Sequence, residues 1–224
     1  MKRLITLPIL LALASFAAFG QRVRVIHASP DAPAVDISVD GTPALDHLPF
    51  GQWTDYTSVP AGQRIFQVYV AGTTTKVAEA NVNINPGQDY TVIASGYATP
   101  EKAPGLRLIL LQDSNFTAAE GQSRVRVVHA APGAPAVDVY AEAPYAALKD
   151  KTPILTNVPF GVGSGYLTVP ATRNYAARVV PTGTKTIAID SGRVMFPSGG
   201  AVTVIAVDNK GGGAPFGFLV VRDR

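Results

Sequence analysis

After residue 20, apolar and polar residues alternate along the chain with a period of two. The run over 22–27 places Val23, Val25 and His27 on one face, and the run over 35–40 repeats the pattern. Further runs rich in β-branched and aromatic residues lie at 56–59, 64–70, 77–84, 90–95 and 106–112. Turn sequences, such as Asp40-Gly41, separate these runs. This period is typical of half-buried β-strands and differs from the 3.6-residue period of an amphipathic helix.

The same pattern occurs twice. The sequence RVRVIHASPDAPAVD at 22–36 returns as RVRVVHAAPGAPAVD at 124–138, at an offset of 102 residues. The later motifs LPFG at 48–51 and VPFG at 158–161 are offset by 110, so the second copy carries a net insertion of eight residues near 142–153, predicted as a loop or short helix. An offset of this size is one small domain rather than a solenoid repeat. We therefore predict an all-β chain of two tandem immunoglobulin-like or transthyretin-like β-sandwich domains.

The first twenty residues are typical of an export signal. Lys2 and Arg3 precede an uncharged run that ends in Ala-Phe-Gly at 18–20, which predicts cleavage before Gln21. The apolar run is about 16 residues long, shorter than the roughly 20 that a membrane-spanning helix needs, so the mature chain is predicted to have no transmembrane span. The predicted organisation is a signal peptide at 1–20, repeat 1 at 21–113, a polar linker at 114–123 and repeat 2 at 124–224.

The amino-acid composition restricts which partners and which cellular compartment are expected. The chain has no cysteine, which excludes disulfides and a lipid-modified N-terminal cysteine. Without Lys2 and Arg3 the chain has 17 basic against 16 acidic residues and no dense basic stripe, so no nucleic-acid partner is expected. A weakly charged surface does little to prevent association. We expect an exported protein of the cell envelope, cell surface or extracellular space, whose partner is an envelope or surface-layer protein or a second copy of itself.

His27 and His129 occupy equivalent positions and are the first candidates for chemistry. Each closes a strand before a proline-stiffened loop. In one interpretation the imidazole is partly buried and braces the turn, by donating to a loop carbonyl or to the aspartate nine residues further on. The other interpretation is metal binding, because neutral imidazole is the commonest protein metal ligand.

A metal site would need more ligands than these two histidines. His47, Asp31 and Asp46 are the candidates to complete it. His47 occurs in repeat 1 alone, and repeat 2 has Gly133 in place of Asp31, so the site would be asymmetric. Its most concrete form is a copper centre on a β-sandwich, as in superoxide dismutases. We expect no cofactor under the first interpretation, and copper or another divalent metal under the second.

Other motifs add little. The stretch 36–41 matches the start of a calcium loop, but position twelve holds His47 instead of glutamate, and an Asp-Gly hairpin explains it better. A nucleophile elbow, a phosphate-binding loop and a HExxH motif are all absent, so no catalytic residue is predicted. Phe50 and Phe160, with Trp53 nearby, are either exposed anchors for a partner or glycan, or core side chains that plug the end of a sandwich, and the second role is favoured.

The signature His-Ala-(Ser/Ala)-Pro-(Asp/Gly)-Ala-Pro-Ala-Val-Asp is present twice and is followed by Pro-Phe-Gly and a late Pro-Gly…Tyr-Thr-Val run. It resembles a bacterial family of secreted tandem domains, the domain-of-unknown-function family 4397. The resemblance covers nearly the whole mature chain. It implies an exported β-sandwich protein at the cell envelope, and it implies no catalytic residues. We predict a structural, assembly or partner-binding role. The alternative is an exported metal-binding enzyme, most concretely a copper-dependent superoxide dismutase-like protein of the cell surface.

Overall fold

Every regular element of the described chain is a β-strand. The computed structural model describes residues 20–113 and 117–223, so residues 1–19 of the predicted signal peptide lie outside it. The prediction of an all-β fold with two sandwiches is confirmed. In the described part of the chain no helix is long and apolar enough to cross a membrane.

Repeat 1 forms a sandwich of two four-stranded sheets, ordered β4-β1-β7-β8 and β3-β2-β5-β6. The strands are β1 (Arg22–His27), β2 (Val35–Val39), β3 (Thr42–Leu48), β4 (Thr57–Ser58), β5 (Gly62–Val70), β6 (Lys76–Ile84), β7 (Asp89–Ser95) and β8 (Arg107–Asp113). β1 and β7 pair in parallel, and the other neighbours pair antiparallel.

Repeat 2 has the same topology, with sheets ordered β12-β9-β15-β16 and β11-β10-β13-β14 and a parallel β9–β15 pair. The strands are β9 (Gln122–His129), β10 (Val137–Glu142), β11 (Leu155–Val158), β12 (Leu167–Pro170), β13 (Ala176–Pro181), β14 (Ile189–Asp190), β15 (Ala201–Val207) and β16 (Gly217–Arg222). The inserted residues between β10 and β11 form a loop, without a helix, and Leu148 from this loop packs against Tyr140 and Val180.

The hairpin between β2 and β3 forms where Asp40-Gly41 predicts it. Both residues have positive φ, 52° and 78°, as a two-residue hairpin turn requires. The alternation pattern did not predict β3 itself, because Pro43 and the polar pair Asp46-His47 interrupt it. β3 forms nonetheless as an edge strand beside β2, with two irregularities in its register.

The two sandwiches are stacked, so the protein has four sheet layers. The sheets β4-β1-β7-β8 and β12-β9-β15-β16, here called the inner sheets, face each other across an apolar cluster that both repeats supply. Its buried members are Ile26, Ala28, Ile93, Ile109, Val128, Ala130, Ile205, Val207 and Val221. All seven residues of β7 and all seven of β15 are buried, because each inner sheet is covered on both faces.

Candidate functional site

His27 lies at the end of β1 and is completely buried. Its Nε2 is 2.9 Å from the carbonyl oxygen of Pro33, to which it donates, and its Nδ1 accepts from the backbone N–H of Ser29 at 3.3 Å. The ring of Phe50 meets the imidazole edge-on, with 6.2 Å between ring centroids. Burial lowers the pKa of His27, with the Pro33 carbonyl opposing, so the imidazole is neutral at pH 7.

His129 makes the same contacts in repeat 2. Its Nε2 donates to the carbonyl of Pro135 at 2.9 Å, its Nδ1 accepts from the N–H of Ala131, and Phe160 lies edge-on at 6.2 Å. Burial again lowers the pKa of the ring. Both nitrogens of each histidine are therefore engaged within its own turn. These contacts match the interpretation in which each imidazole donates to a loop carbonyl and braces the turn.

The other candidate metal ligands lie elsewhere in repeat 1. His47 is exposed with φ 58°, and its backbone N–H donates to Asp36 Oδ1 at 2.7 Å. Asp31 accepts from the N–H of Ala98 at 2.7 Å, and Asp46 is exposed. Among residues 20–113 and 117–223, no three His, Asp or Glu side chains are grouped so that they could hold a metal. Metal binding by His27, His47, His129, Asp31 and Asp46 stays a prediction.

The packing of the two repeats explains why repeat 2 has a glycine in place of Asp31. A Cβ atom at Gly133 would lie 2.7 Å from Asp208 Oδ2 and 2.8 Å from the hydroxyl of Tyr97, which belongs to repeat 1. The Tyr97 hydroxyl donates to Asp208 at 2.9 Å, and the Gly133 N–H donates to the same carboxylate at 3.0 Å. A side chain at this position would displace a contact between the repeats.

Arg24, on the polar-looking face of β1, is 2% exposed and reaches into the opposite repeat. Its Nε donates to Thr91 Oγ1 at 2.8 Å, and its Nη1 donates to the carbonyl of Arg222 at 3.0 Å. Its Nη2 forms an ion pair with Asp223, which is also buried. The guanidinium lies 4.9 Å from the ring centroid of Tyr56.

Arg126 makes the reciprocal contacts from repeat 2. Its Nε donates to Thr203 at 3.1 Å, its Nη1 donates to the carbonyl of Gln112 at 3.3 Å, and its Nη2 forms an ion pair with Asp113 at 2.6 Å. Its guanidinium lies 4.7 Å from the ring centroid of Tyr166. Each repeat thus supplies the aspartate for the arginine of the other, as in an isologous two-fold interface.

The two threonines join these pairs into one closed ring of six buried side chains. Thr91 Oγ1 donates to Asp113 at 2.6 Å, and Thr203 Oγ1 donates to Asp223 at 3.0 Å. We call this set the arginine–aspartate ring, and its members are Arg24, Thr91, Asp113, Arg126, Thr203 and Asp223. In the described chain no buried side-chain nitrogen or oxygen lacks a hydrogen-bond partner. A fully satisfied polar network of this kind sets one relative orientation of the repeats.

The aromatic candidates have different positions. Phe50 and Phe160 are half-buried against the histidines, whereas Trp53 is 40% exposed. Arg107 from repeat 1 lies 4.6 Å from the ring centroid of Phe160 and donates to its carbonyl at 3.0 Å. Phe160 therefore belongs to the contact between the repeats.

The sequence analysis did not identify an open cavity that the structure shows in repeat 1. This cavity, here called the seam cleft, lies between the edge strands β3 and β4, where the two sheets of the sandwich separate. Its volume is about 470 Å³. Its floor consists of Val23, Val25, Ile37, Val39 and Phe66. Thr42, Thr54, Thr57 and Ser58 lie along its walls.

The same place in repeat 2 is filled. Only about 30 Å³ remains there between Val125, Val127 and Val139, which correspond to Val23, Val25 and Ile37 of the seam cleft. Leu167 occupies the position of Thr57, because Thr57 pairs with Val23 in repeat 1 and Leu167 pairs with the equivalent Val125 in repeat 2. Tyr175 lies against Phe196, with 5.8 Å between ring centroids, and also occupies this space. The duplicated sandwiches therefore differ at this place, which is open in repeat 1 and filled in repeat 2.

Comparisons with solved structures give weak similarities. One is to CBMbc, a family CBM26 domain from Eubacterium rectale Amy13K solved in complex with maltoheptaose, at 10% identity and a TM-score of 0.29, covering 91% of this chain and 98% of that one. Another is to a candidate adhesin from Bacteroides ovatus, at 12% identity and a TM-score of 0.26, covering 92% and 95%. At these TM-scores the similarity supports no statement about binding.

Comparison with sequence families gives a definite result. No curated protein sequence matches the chain significantly. The family model described as "Domain of unknown function (DUF4397)" matches residues 21–140, which is more than half of the chain and includes both copies of the His-Ala-x-Pro signature. The chain therefore belongs to the DUF4397 family.

Proposed function

We propose that this protein is an exported, non-enzymatic binding protein of the cell envelope or extracellular space, and that it binds its ligand in the seam cleft of repeat 1. The observation that carries the proposal is the difference between the repeats. A cavity of about 470 Å³ is within the size range of small-molecule sites, and its counterpart in repeat 2 is closed by side chains. Since the two repeats otherwise share their topology, the open cleft is a specific property of repeat 1.

The contact between the repeats supports a binding role. The arginine–aspartate ring and the apolar cluster of the inner sheets hold the repeats in one arrangement. The seam cleft opens on the side edge of repeat 1, away from this contact, so a ligand can enter without disturbing it. Repeat 2 then acts as a rigid support, and a site on a rigid support loses little ordering entropy when it binds.

A neutral fluorescent probe tests the site. N-phenyl-1-naphthylamine fluoresces strongly in apolar surroundings, and we expect it to bind the purified chain saturably at one site. Thr57→Trp places an indole in the cleft and should weaken binding at least tenfold. Thr74→Trp is the matched control, since Thr74 is exposed in the loop before β6 and lines a second cavity of repeat 1. It should leave affinity unchanged when the probe occupies the seam cleft.

The proposal fails if the probe does not bind, or if Thr57→Trp and Thr74→Trp bind it equally well. Urea unfolding of both variants shows whether an altered affinity arises from the cleft or from loss of the fold. Because Thr57 is exposed and lies on a two-residue edge strand, we expect Thr57→Trp to fold normally.

A further inference from the structure

The floor of the seam cleft is apolar. Val23, Val25, Ile37 and Phe66 line the cavity and expose only between 1% and 7% of their surface. An apolar group packed on this floor is removed from water, which favours its binding.

The charged groups of the cleft wall are already paired. Asp40 lines the wall, where its Oδ1 accepts from the N–H of Ile65 at 2.8 Å and its Oδ2 accepts from Arg64 at 3.0 Å. The Ile65 N–H and Arg64 lower the pKa of Asp40, so this carboxylate stays ionised. Arg64 also donates to the carbonyls of Pro60 and Ala61. A ligand with a charged head group would meet no unpaired opposite charge in this wall and would lose its hydration there.

The remaining polar side chains of the wall carry neutral hydroxyls. Thr42, Thr57 and Ser58 are exposed at the rim, and a hydroxyl both donates and accepts hydrogen bonds. An alcohol or ester oxygen fits such a rim, because it exchanges hydrogen bonds without bringing in charge. The apolar floor, the paired charges and the hydroxyl rim together define one chemical class.

We infer that the ligand of the seam cleft is a neutral lipid-like molecule with an apolar chain and an uncharged oxygen at its head, such as a long-chain alcohol or ester. This inference rests on the proposed function, in which the seam cleft is the binding site. Burial of each methylene stabilises the complex, so affinity rises with chain length until the floor is filled.

A displacement series tests the ligand class on the intact chain. Octanol, nonanol and decanol compete with bound N-phenyl-1-naphthylamine, and we expect each added methylene to tighten binding by about fourfold. Decanoate and decylammonium at pH 7.5 have the same chain length with a negative or a positive head. Both should bind at least about tenfold more weakly than decanol, because burial of an unpaired charge is costly. Thr57→Trp should weaken decanol, and Thr74→Trp should not.

The possible failures are distinguishable. If decanoate or decylammonium displaces the probe as well as decanol does, the neutral class is wrong, while the cleft remains the site. If the probe is sensitive to Thr57→Trp but no straight-chain alcohol displaces it, the cleft takes another occupant, such as apolar side chains of a protein partner, and the inference is overturned. If Thr57→Trp leaves the affinity for the probe unchanged, the seam cleft is not the binding site and the proposed function itself is wrong.

Discussion

Removing one carboxylate from the arginine–aspartate ring is expected to destabilise the whole chain. Asp223→Ala leaves the guanidinium of Arg24 buried without its counter-charge, although Thr91 and the Arg222 carbonyl still accept from it. The side chains of Arg24 and Asp223 are 2% and 0% exposed, so water cannot replace the lost carboxylate. Breaking a buried ion pair from one side costs about 3–5 kcal/mol, which is a large part of the stability of a typical domain.

Urea unfolding at pH 7 and 25 °C measures this loss from the transition midpoint and slope. Glu79→Ala is the matched control, because it removes the carboxylate of the exposed Lys76–Glu79 pair, and its midpoint should hardly move. Replacing both partners, as in Arg24→Met with Asp223→Leu, should recover part of the lost stability, since an apolar pair leaves no buried charge.

The cooperativity of unfolding gives a second readout of the same contact. The wild-type chain should unfold in one transition, because the inner sheets of both repeats share a core. Asp223→Ala should weaken this coupling, so that the two sandwiches begin to unfold separately. A midpoint for Asp223→Ala equal to that of Glu79→Ala would refute the reasoning, because it would mean that the Arg24–Asp223 pair contributes no more than a surface pair.

Three further predictions concern protonation, metal content and export. Burial lowers the pKa of His27 and His129, so the unfolded chain binds protons that the folded chain excludes. Stability should be full above about pH 6.5 and fall below it, by at most about 1.4 kcal/mol per pH unit for each histidine. Urea midpoints between pH 7.5 and 5 measure this fall, and a His27→Gln, His129→Gln variant that kept the same slope would contradict it. Elemental analysis of natively purified protein should find no stoichiometric copper or other divalent metal. One copper per chain that is lost in a His27→Ala, His129→Ala variant would favour the metalloenzyme alternative. Mass spectrometry of the protein recovered from the envelope or medium should give a mature N-terminus at Gln21, and an intact Met1 in a cytosolic fraction would contradict export.

Much of the fold could be predicted from alternation and turn chemistry. The predicted runs at 64–70, 77–84 and 90–95 lie within β5, β6 and β7 and miss only one or two residues at their ends. These segments have strong local signals, because they are rich in β-branched and aromatic residues and have Gly, Pro or Asn at the turns. Where the local signal was weak, as in β3, the strand was missed and forms because a hairpin places it beside β2.

The contacts of the arginine–aspartate ring could not be predicted from the pattern within any one strand. Arg24 alternates with apolar neighbours as a solvent-facing residue does, yet its partner is Asp223, 199 residues further along the chain. No pattern within one strand indicates that a polar face will be covered by another sheet. The identical Arg-Val-Arg-Val motif in both repeats was the available hint, because it keeps both arginines.

The sequence by itself determined most strands of repeat 1, the duplication and the proline-containing turns that follow His27 and His129, since these depend on periodicity and short-range contacts. Only the tertiary structure decided that the inner sheets are buried on both faces, that the arginines pair across the repeats, and that repeat 1 keeps an open cleft. The physical reason is that burial and cavity volume depend on packing between residues distant in the chain. Thr57 in place of Leu167 is a small change in sequence, but it lies at the edge where the two sheets either close or remain apart.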